Sequence, residues 1–190
     1  MLFIVNKEKI LKLIPRERLQ HSLNVANEAK LLAERYQVSN ENAELAGLLH
    51  DIAKYVSLED LQKENISITK ELHQIYLNFQ KIFHAFIAPI YVEQKLGITN
   101  KDVLSALKWH TTGKANMKIL EQIVFIADYI EESRDTPQKE FIKKLAYFDL
   151  DLATYSISKV LINYLISINR NIHTYTLECK DYYEHKIFNN

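Results

Sequence analysis

Apolar residues recur at helical spacing along nearly the whole chain, and no segment alternates as a half-buried strand must. Val25, Ala29, Leu32 and Tyr36 fall at i, i+4, i+7 and i+11, one face of a helix. Pro15 suits the first helical turn, where its missing N–H is harmless, so a helix is predicted over 15–36. A second, over 41–54, carries Leu45, Leu48, Leu49 and Ile52 behind the candidate caps Ser39 and Asn40. Shorter helices are predicted over 58–64 and 68–81. The next runs from 86 to 96, with Pro89 in or near its first turn and Gly97 as its stop. Asn100 caps a helix over 101–110 that Gly113 closes, and residues 117–132 place Ile119, Ile123, Ile126 and Ile130 near one face. Pro137 opens a helix ending near Phe148, residues 150–168 form a long apolar one, and a last helix spans 175–186. Residues 2–5 are too short to assign. With no repeat, low-complexity tract or linker, residues 1–190 read as a single compact all-α bundle with short connections.

Composition narrows the function. Lys+Arg and Asp+Glu are each 24, so no overall field draws in nucleic acid or anionic lipid, and any phosphate binding must be local. No basic stripe marks a helix for DNA, which leaves an all-α DNA-binding module the weakest reading. Cys179 is the only cysteine, which excludes an internal disulfide and a thiolate metal cluster. The opening apolar run is too short for a signal peptide, and no segment approaches the ~18 apolar residues of a membrane span. A reducing cytoplasm is the expected compartment. The three glycines, Gly47, Gly97 and Gly113, stand far apart, so neither a P-loop nor a dinucleotide fingerprint is present. Side chains or a metal must therefore hold any phosphate.

The sharpest chemical feature is Leu48-Leu49-His50-Asp51-Ile52-Ala53-Lys54, late in a helix. Adjacent helical residues point about 100° apart, so His50 and Asp51 share an ion only if it sits over the edge between them. Lys54, four residues after His50 and three after Asp51, lies on the same side and suits a phosphate oxygen. Taken alone, His-Asp is a common dipeptide and reads more simply as a solvated or capping pair. His21 stands near the start of the first helix, His84 precedes a helix, and His110 closes one in Trp109-His110-Thr111-Thr112-Gly113. Asp128 interrupts the apolar run Ile123-Val-Phe-Ile-Ala-Asp128, and a buried carboxylate must be paired or metal-bound. An ion pair with Arg18 or Arg134 is the plain alternative for it. His73 and His185 read as solvated, Trp109 as core, and the scattered tyrosines as packing and surface residues.

A His, then His-Asp, then two more His, then Asp on a later helix resembles the HD-domain superfamily of metal phosphohydrolases. More narrowly the chain is similar to the bacterial symmetrical bis(5'-nucleosyl)-tetraphosphatases of the YqeK type. The matching segments are Arg18-Leu-Gln-His21-Ser22-Leu23, Ala46-Gly47-Leu48-Leu49-His50-Asp51-Ile52-Ala53-Lys54 and Trp109-His110-Thr111-Thr112-Gly113. They continue through Asn116-Met117, Phe125-Ile126-Ala127-Asp128-Tyr129-Ile130-Glu131, Arg134-Asp135 and Ile172-His173. Glu132 and Thr174 stand where that family usually has proline, which touches local loop geometry and not the ligand set.

The resemblance implies His21, His50, Asp51 and Asp128 as metal ligands, with catalytic roles for Asp51, Lys54 and Asp128. His84 and His110 either complete a second metal site bridged by Asp51 or touch phosphate directly; phosphate contact beside one metal is the expectation. Lys54 and Arg134 are the expected phosphate clamps, a salt bridge of Arg134 with Glu131 or Asp135 being the alternative. Arg18 and Thr111 are further substrate candidates. His173 is expected to line the nucleotide site, completed by residues 150–190. Iron is the implied metal, and the imidazole and carboxylate donors also suit manganese, cobalt or zinc. The implied activity is hydrolysis of diadenosine tetraphosphate to two ADP. The implied partner is a dinucleoside polyphosphate or ADP-like nucleotide; a homodimer is a candidate assembly that the sequence itself does not reveal. The rivals are an HD-type nucleotidase or nucleoside triphosphate hydrolase, and a catalytically silent nucleotide-binding module.

Overall fold

The computed structural model describes residues 7–189, and among them it contains helices and no strand. In chain order these are α1 (Lys7–Leu13), a 3-10 turn (Arg16–Arg18), α2 (Leu19–Arg35), α3 (Asn40–Leu49), α4 (Leu58–Lys63) and α5 (Lys70–Asn78). They continue with α6 (Gln80–Leu96), α7 (Lys101–Trp109), α8 (Ile119–Ile130), α9 (Lys139–Phe148), α10 (Leu150–Ser167) and α11 (Thr174–Phe188). The all-α expectation holds. The apolar run at residues 2–5 lies outside the described residues.

Several boundaries differ from the sequence-based expectation. Helix α6 begins at Gln80, six residues before the predicted start, so Pro89 lies inside the helix and not in its first turn. Interior proline forfeits one backbone hydrogen bond and costs about 3 kcal/mol. Burial of Phe83, Phe86, Ile87, Ala88 and Val92 on the same helix offsets that, at roughly 1.5–3 kcal/mol for each large apolar side chain. His84 consequently sits within α6 and does not precede a helix. Helix α3 ends at Leu49, five residues short of the predicted 54. Beyond it the backbone tightens into i→i+3 bonds, Ile52 N to Leu49 O and Lys54 N to Asp51 O. Helix α1 was not signalled at all.

The caps explain most starts. Ser39 and Asn100 accept backbone N–H bonds at the heads of α3 and α7 as expected. Ser57 forms a capping box with Asp60 at α4. Helix α8 is apolar nearly all round, with Leu120 through Ala127 and Ile130 buried, and a helix of that kind must be central. It is packed by α2, α3, α7, α9 and α10. Helices α2 and α3 approach tightly at Gly47, where a Cβ would stand 2.8 Å from Ala26 Cα. That contact brings the N-terminal turn of α2 against the C-terminal end of α3. The far end of α10 is different: beyond Ser158 no residue of that helix is buried.

Candidate metal centre

Five helices deliver six potential ligands to one place. His21 comes from the first turn of α2, His50 and Asp51 from the end of α3, His84 from α6, His110 from the end of α7 and Asp128 from α8. His50 is inaccessible to solvent, and His21, Asp51, His84 and His110 are buried. Three triads bring their ligand atoms within 4.8 Å of one another: His21, His50 and Asp51; His50, His110 and Asp128; Asp51, His84 and His110.

Asp51 is the hinge of this arrangement. Its Oδ2 lies 3.5 Å from His50 Nε2 and 3.7 Å from His21 Nε2. Its Oδ1 lies 3.0 Å from His84 Nε2 and 3.7 Å from His110 Nε2. Asp128 Oδ1 closes the first side at 3.0 Å from His21 Nε2 and 3.5 Å from His50 Nε2. The two carboxylate oxygens of Asp51 thus face two imidazole pairs.

The local fold fixes how the rings point. His50 and His110 each follow the last residue of a helix, where backbone carbonyls lack intrahelical partners. Each turns Nδ1 back on the carbonyl three residues earlier, Gly47 O at 2.6 Å and Leu107 O at 2.7 Å. His21 Nδ1 instead meets Glu131 Oε1 at 3.0 Å. Carbonyl and carboxylate oxygens only accept, so each Nδ1 must donate. In the neutral rings all three Nε2 atoms then carry lone pairs. His21 Nε2 and His50 Nε2 are 3.0 Å apart, with carboxylate oxygens beside them. Two lone pairs at that distance repel unless a proton or a metal ion is shared there, and the donor set fits a divalent metal of the first transition row.

The electrostatics agree. Burial alone would lower the pKa of His50, but the carboxylates of Asp51 and Asp128 lift it to about 9. Burial would raise Asp51, yet His50, His110 and His84 hold it far below the usual carboxylate range. Asp128 is kept ionised against burial by Arg134, His21 and His50. On the other side, burial with His110 and Lys54 holds His84 down at about 4 against the pull of Asp51. Burial likewise lowers His110. One end of the centre draws positive charge, and the other presents neutral imidazoles.

Three cations border these ligands. Arg18 donates from Nε to Asp51 Oδ2 at 2.8 Å and contacts the same oxygen through Nη2. Lys54 Nζ lies 3.3 Å from both Asp51 Oδ1 and His84 Nε2. Arg134 Nη2 donates to Asp128 Oδ1 at 2.5 Å, so its partner is Asp128 and neither Glu131 nor Asp135. Thr111 Oγ1 is buried with no hydrogen-bond partner.

His173 is not in this cluster. It caps α11 and packs among aromatic rings, 4.8 Å from Phe79, 4.9 Å from Tyr175 and 5.8 Å from Phe86 between centroids. Trp109 joins them at 4.8 Å from Tyr175, with Lys108 Nζ 4.8 Å above its ring. His73 and His185 are exposed.

Sequence reasoning passed over Glu131, Asn24 and Ser133. Glu131 is fully buried and accepts from His21, from Asn24 Nδ2 at 3.0 Å and from the Ser133 backbone at 2.7 Å. Its place three residues after Asp128, on the same side of the chain, was the available signal.

Comparison with known proteins places the chain in a family. The family described as HD domain matches residues 18–133. A Staphylococcus aureus protein named symmetrical bis(5'-nucleosyl)-tetraphosphatase is 38% identical over 183 residues, 94% of this chain and 91% of that protein. A protein of the same name from Halalkalibacterium halodurans is 36% identical, over 91% of this chain and 94% of its own length. A crystal structure from Clostridium acetobutylicum, described as a predicted HD superfamily hydrolase involved in NAD metabolism, superposes with a TM-score of 0.82 at 31% identity. That match covers 94% of this chain and 95% of the other.

Proposed function

The chain belongs to the HD-domain family, and from that premise we propose that it cleaves dinucleoside tetraphosphates symmetrically, diadenosine tetraphosphate and water giving two ADP. The observation that carries this reading is Asp51 standing between two imidazole pairs with Lys54 on its outer oxygen. The two similar proteins that bear this activity in their names, each matched over nearly its full length, support it.

The ligands in this proposal are His21, His50, Asp51 and Asp128. Iron is the ion, with manganese, cobalt and zinc as the alternatives their nitrogen and oxygen donors admit. When bound, the ion polarises a phosphoryl oxygen and lowers the pKa of water, which makes hydrolysis accessible near neutrality. Because His110 donates from Nδ1 to Leu107, its neutral ring offers a lone pair and no proton to a phosphate oxygen. That supports a second ion between Asp51, His84 and His110 over the phosphate contact expected from the sequence. Elemental analysis showing two metals per chain, and not one, tests the point.

The other residues act on the substrate. Lys54, Arg134 and Arg18 neutralise the charge a tetraphosphate brings, and preorganised cations do this without reorganising during the reaction. Thr111 supplies a hydroxyl whose hydrogen bond is otherwise unmade. The 150–190 segment completes the nucleotide side through His173. The aromatic rings around it support that role, since base–aromatic stacking contributes about 1–3 kcal/mol per base. Symmetrical cleavage then requires attack on the phosphorus second from one nucleoside, with the other nucleoside diphosphate leaving.

The same proposal includes a cytoplasmic location and a homodimer. The buried free thiol of Cys179 suits a reducing compartment. Residues 160–169 at the end of α10 carry no charge, so electrostatic repulsion would not oppose two copies meeting there. Light scattering reads the oligomer directly.

The deciding experiment is product identification after diadenosine tetraphosphate is incubated with the iron-loaded protein in isotopically labelled water. ADP alone is expected, labelled on the terminal phosphate of one ADP per cleavage. ATP plus AMP would overturn the symmetrical assignment. No turnover at full metal loading would favour the nucleotidase, the triphosphate hydrolase or the silent binding module.

A further inference from the structure

Of the histidines whose outward nitrogen has an oxygen acceptor in this centre, one is treated differently. His50 and His110 give their Nδ1–H to backbone carbonyls, whereas His21 gives its Nδ1–H to a carboxylate. That carboxylate, on Glu131, is fully buried and fully committed. Oε1 accepts from His21 at 3.0 Å and from Ser133 Oγ at 2.7 Å; Oε2 accepts from Asn24 at 3.0 Å and from Ser133 N at 2.7 Å. Asn24 lies one turn after His21 on α2, and Ser133 follows directly in the loop after α8. The acceptor is therefore anchored from the helix that carries His21 and from the loop that carries Glu131.

Such anchoring has two consequences for His21. An acceptor-only group on Nδ1 favours the tautomer whose proton sits there, against the competing pull of Asp128 Oδ1 at 3.0 Å from Nε2, and so turns the Nε2 lone pair into the centre. A full negative charge on the acceptor also makes the ring a stronger donor than a backbone carbonyl would. Hydrophobic packing explains neither the burial of Glu131 nor its four hydrogen bonds.

We propose that Glu131 is the positioning residue of the metal centre: it fixes the tautomer and ring plane of His21 and strengthens that histidine as a ligand. This rests on the assignment of His21 as a ligand, made above. Glu131→Gln keeps size and shape but removes the charge. Its amide nitrogen must also face either His21 Nδ1–H or the donors of Asn24 and Ser133.

Two measurements on the full chain test the proposal, with far-UV circular dichroism confirming that the variant is folded. In the metal-free protein, ring 15N shifts of His21 should report the Nδ1–H tautomer for the wild type and its loss in Glu131→Gln. In competition with a chelator, Glu131→Gln should bind iron or manganese about 10- to 100-fold more weakly. An unchanged tautomer together with wild-type affinity would overturn the proposal. A wild type that binds no metal while the tautomer still depends on Glu131 would defeat the ligand assignment and leave the positioning of His21 standing.

Discussion

Arg134 Nη2 donates at 2.5 Å to Oδ1 of Asp128, the carboxylate oxygen that also stands 3.0 Å from His21 Nε2 and 3.5 Å from His50 Nε2. The guanidinium covers the same lone pairs a cation in the centre would use. It is the counter-charge of Asp128 here; a metal on Asp128, as proposed, would free it to meet a phosphate. Arg134→Ala should therefore lower the thermal stability of the metal-free protein more than that of the loaded protein. It should also slow turnover while metal content stays at the wild-type level. Melting temperatures with and without metal check this, and equal losses in both forms would confine Arg134 to a structural ion pair.

Asp51 faces both imidazole pairs, one through each oxygen. Asp51→Ala should consequently strip all tightly bound metal, and Asp128→Ala the metal of the His21–His50 side, each with helical content preserved. Elemental analysis with circular dichroism reads both. Full occupancy in either variant would contradict the assignment for that residue.

Lys54 lies 3.3 Å from Asp51 Oδ1, and its side chain is one-third exposed, so it reaches solvent beside the centre. Lys54→Ala should keep the metal and weaken catalysis by roughly 10- to 1,000-fold, the scale of one lost electrostatic stabiliser. Steady-state kinetics on metal-matched samples measure it; activity near wild type would leave Lys54 a surface residue.

How much of this was legible in the sequence depended on whether the signal was local. Helix faces such as Val25, Ala29 and Leu32, and caps such as Ser39 and Asn100, are set by neighbours a few residues away, and the structure shows them as read. Pro89 misled because local propensity placed a helix start there, whereas burial of Phe83 through Val92 carries α6 past it. Residue types together with the family resemblance marked His21, His50, Asp51, His84, His110 and Asp128, but their convergence depends on packing between distant helices. The α2–α3 contact at Gly47 is the clearest instance. Glu131 escaped because a carboxylate at a helix end is ordinary until its partner, 110 residues away, is known.

Cys179 is inaccessible to solvent, and burial pushes its thiol up to about 11 against opposing hydrogen bonds from Ser158 and the Lys114 backbone. Only about one molecule in a thousand would carry thiolate at pH 8, and thiolate is the reactive form. The folded protein should thus resist Ellman's reagent at that pH and react promptly in denaturant. Reactivity should rise as pH is taken toward 11. Rapid labelling of the folded protein at pH 8 would show that α11 opens readily.

The last prediction joins Cys179 to Gly113. Gly113 has φ +62°, in the left-handed region that side chains adopt at a cost, and a Cβ there would stand 2.6 Å from Cys179 Sγ and 3.3 Å from its Cβ. Gly113→Ala thus adds backbone strain to a collision between the loop after α7 and the buried face of α11. Overpacking of this kind costs about 1–3 kcal/mol. Cys179→Ala removes the sulfur and should recover most of the steric share, leaving the 3.3 Å contact with its Cβ and the φ share in place. Denaturant unfolding of the two single variants and the double variant separates the shares as a double-mutant cycle. Because α11 carries His173 at its head, the collision should disturb the proposed nucleotide side before the proposed metal ligands. Gly113→Ala should then raise KM for the dinucleotide with metal content unchanged. Loss of metal with KM intact would mean that the loop after His110, and not α11, gives way.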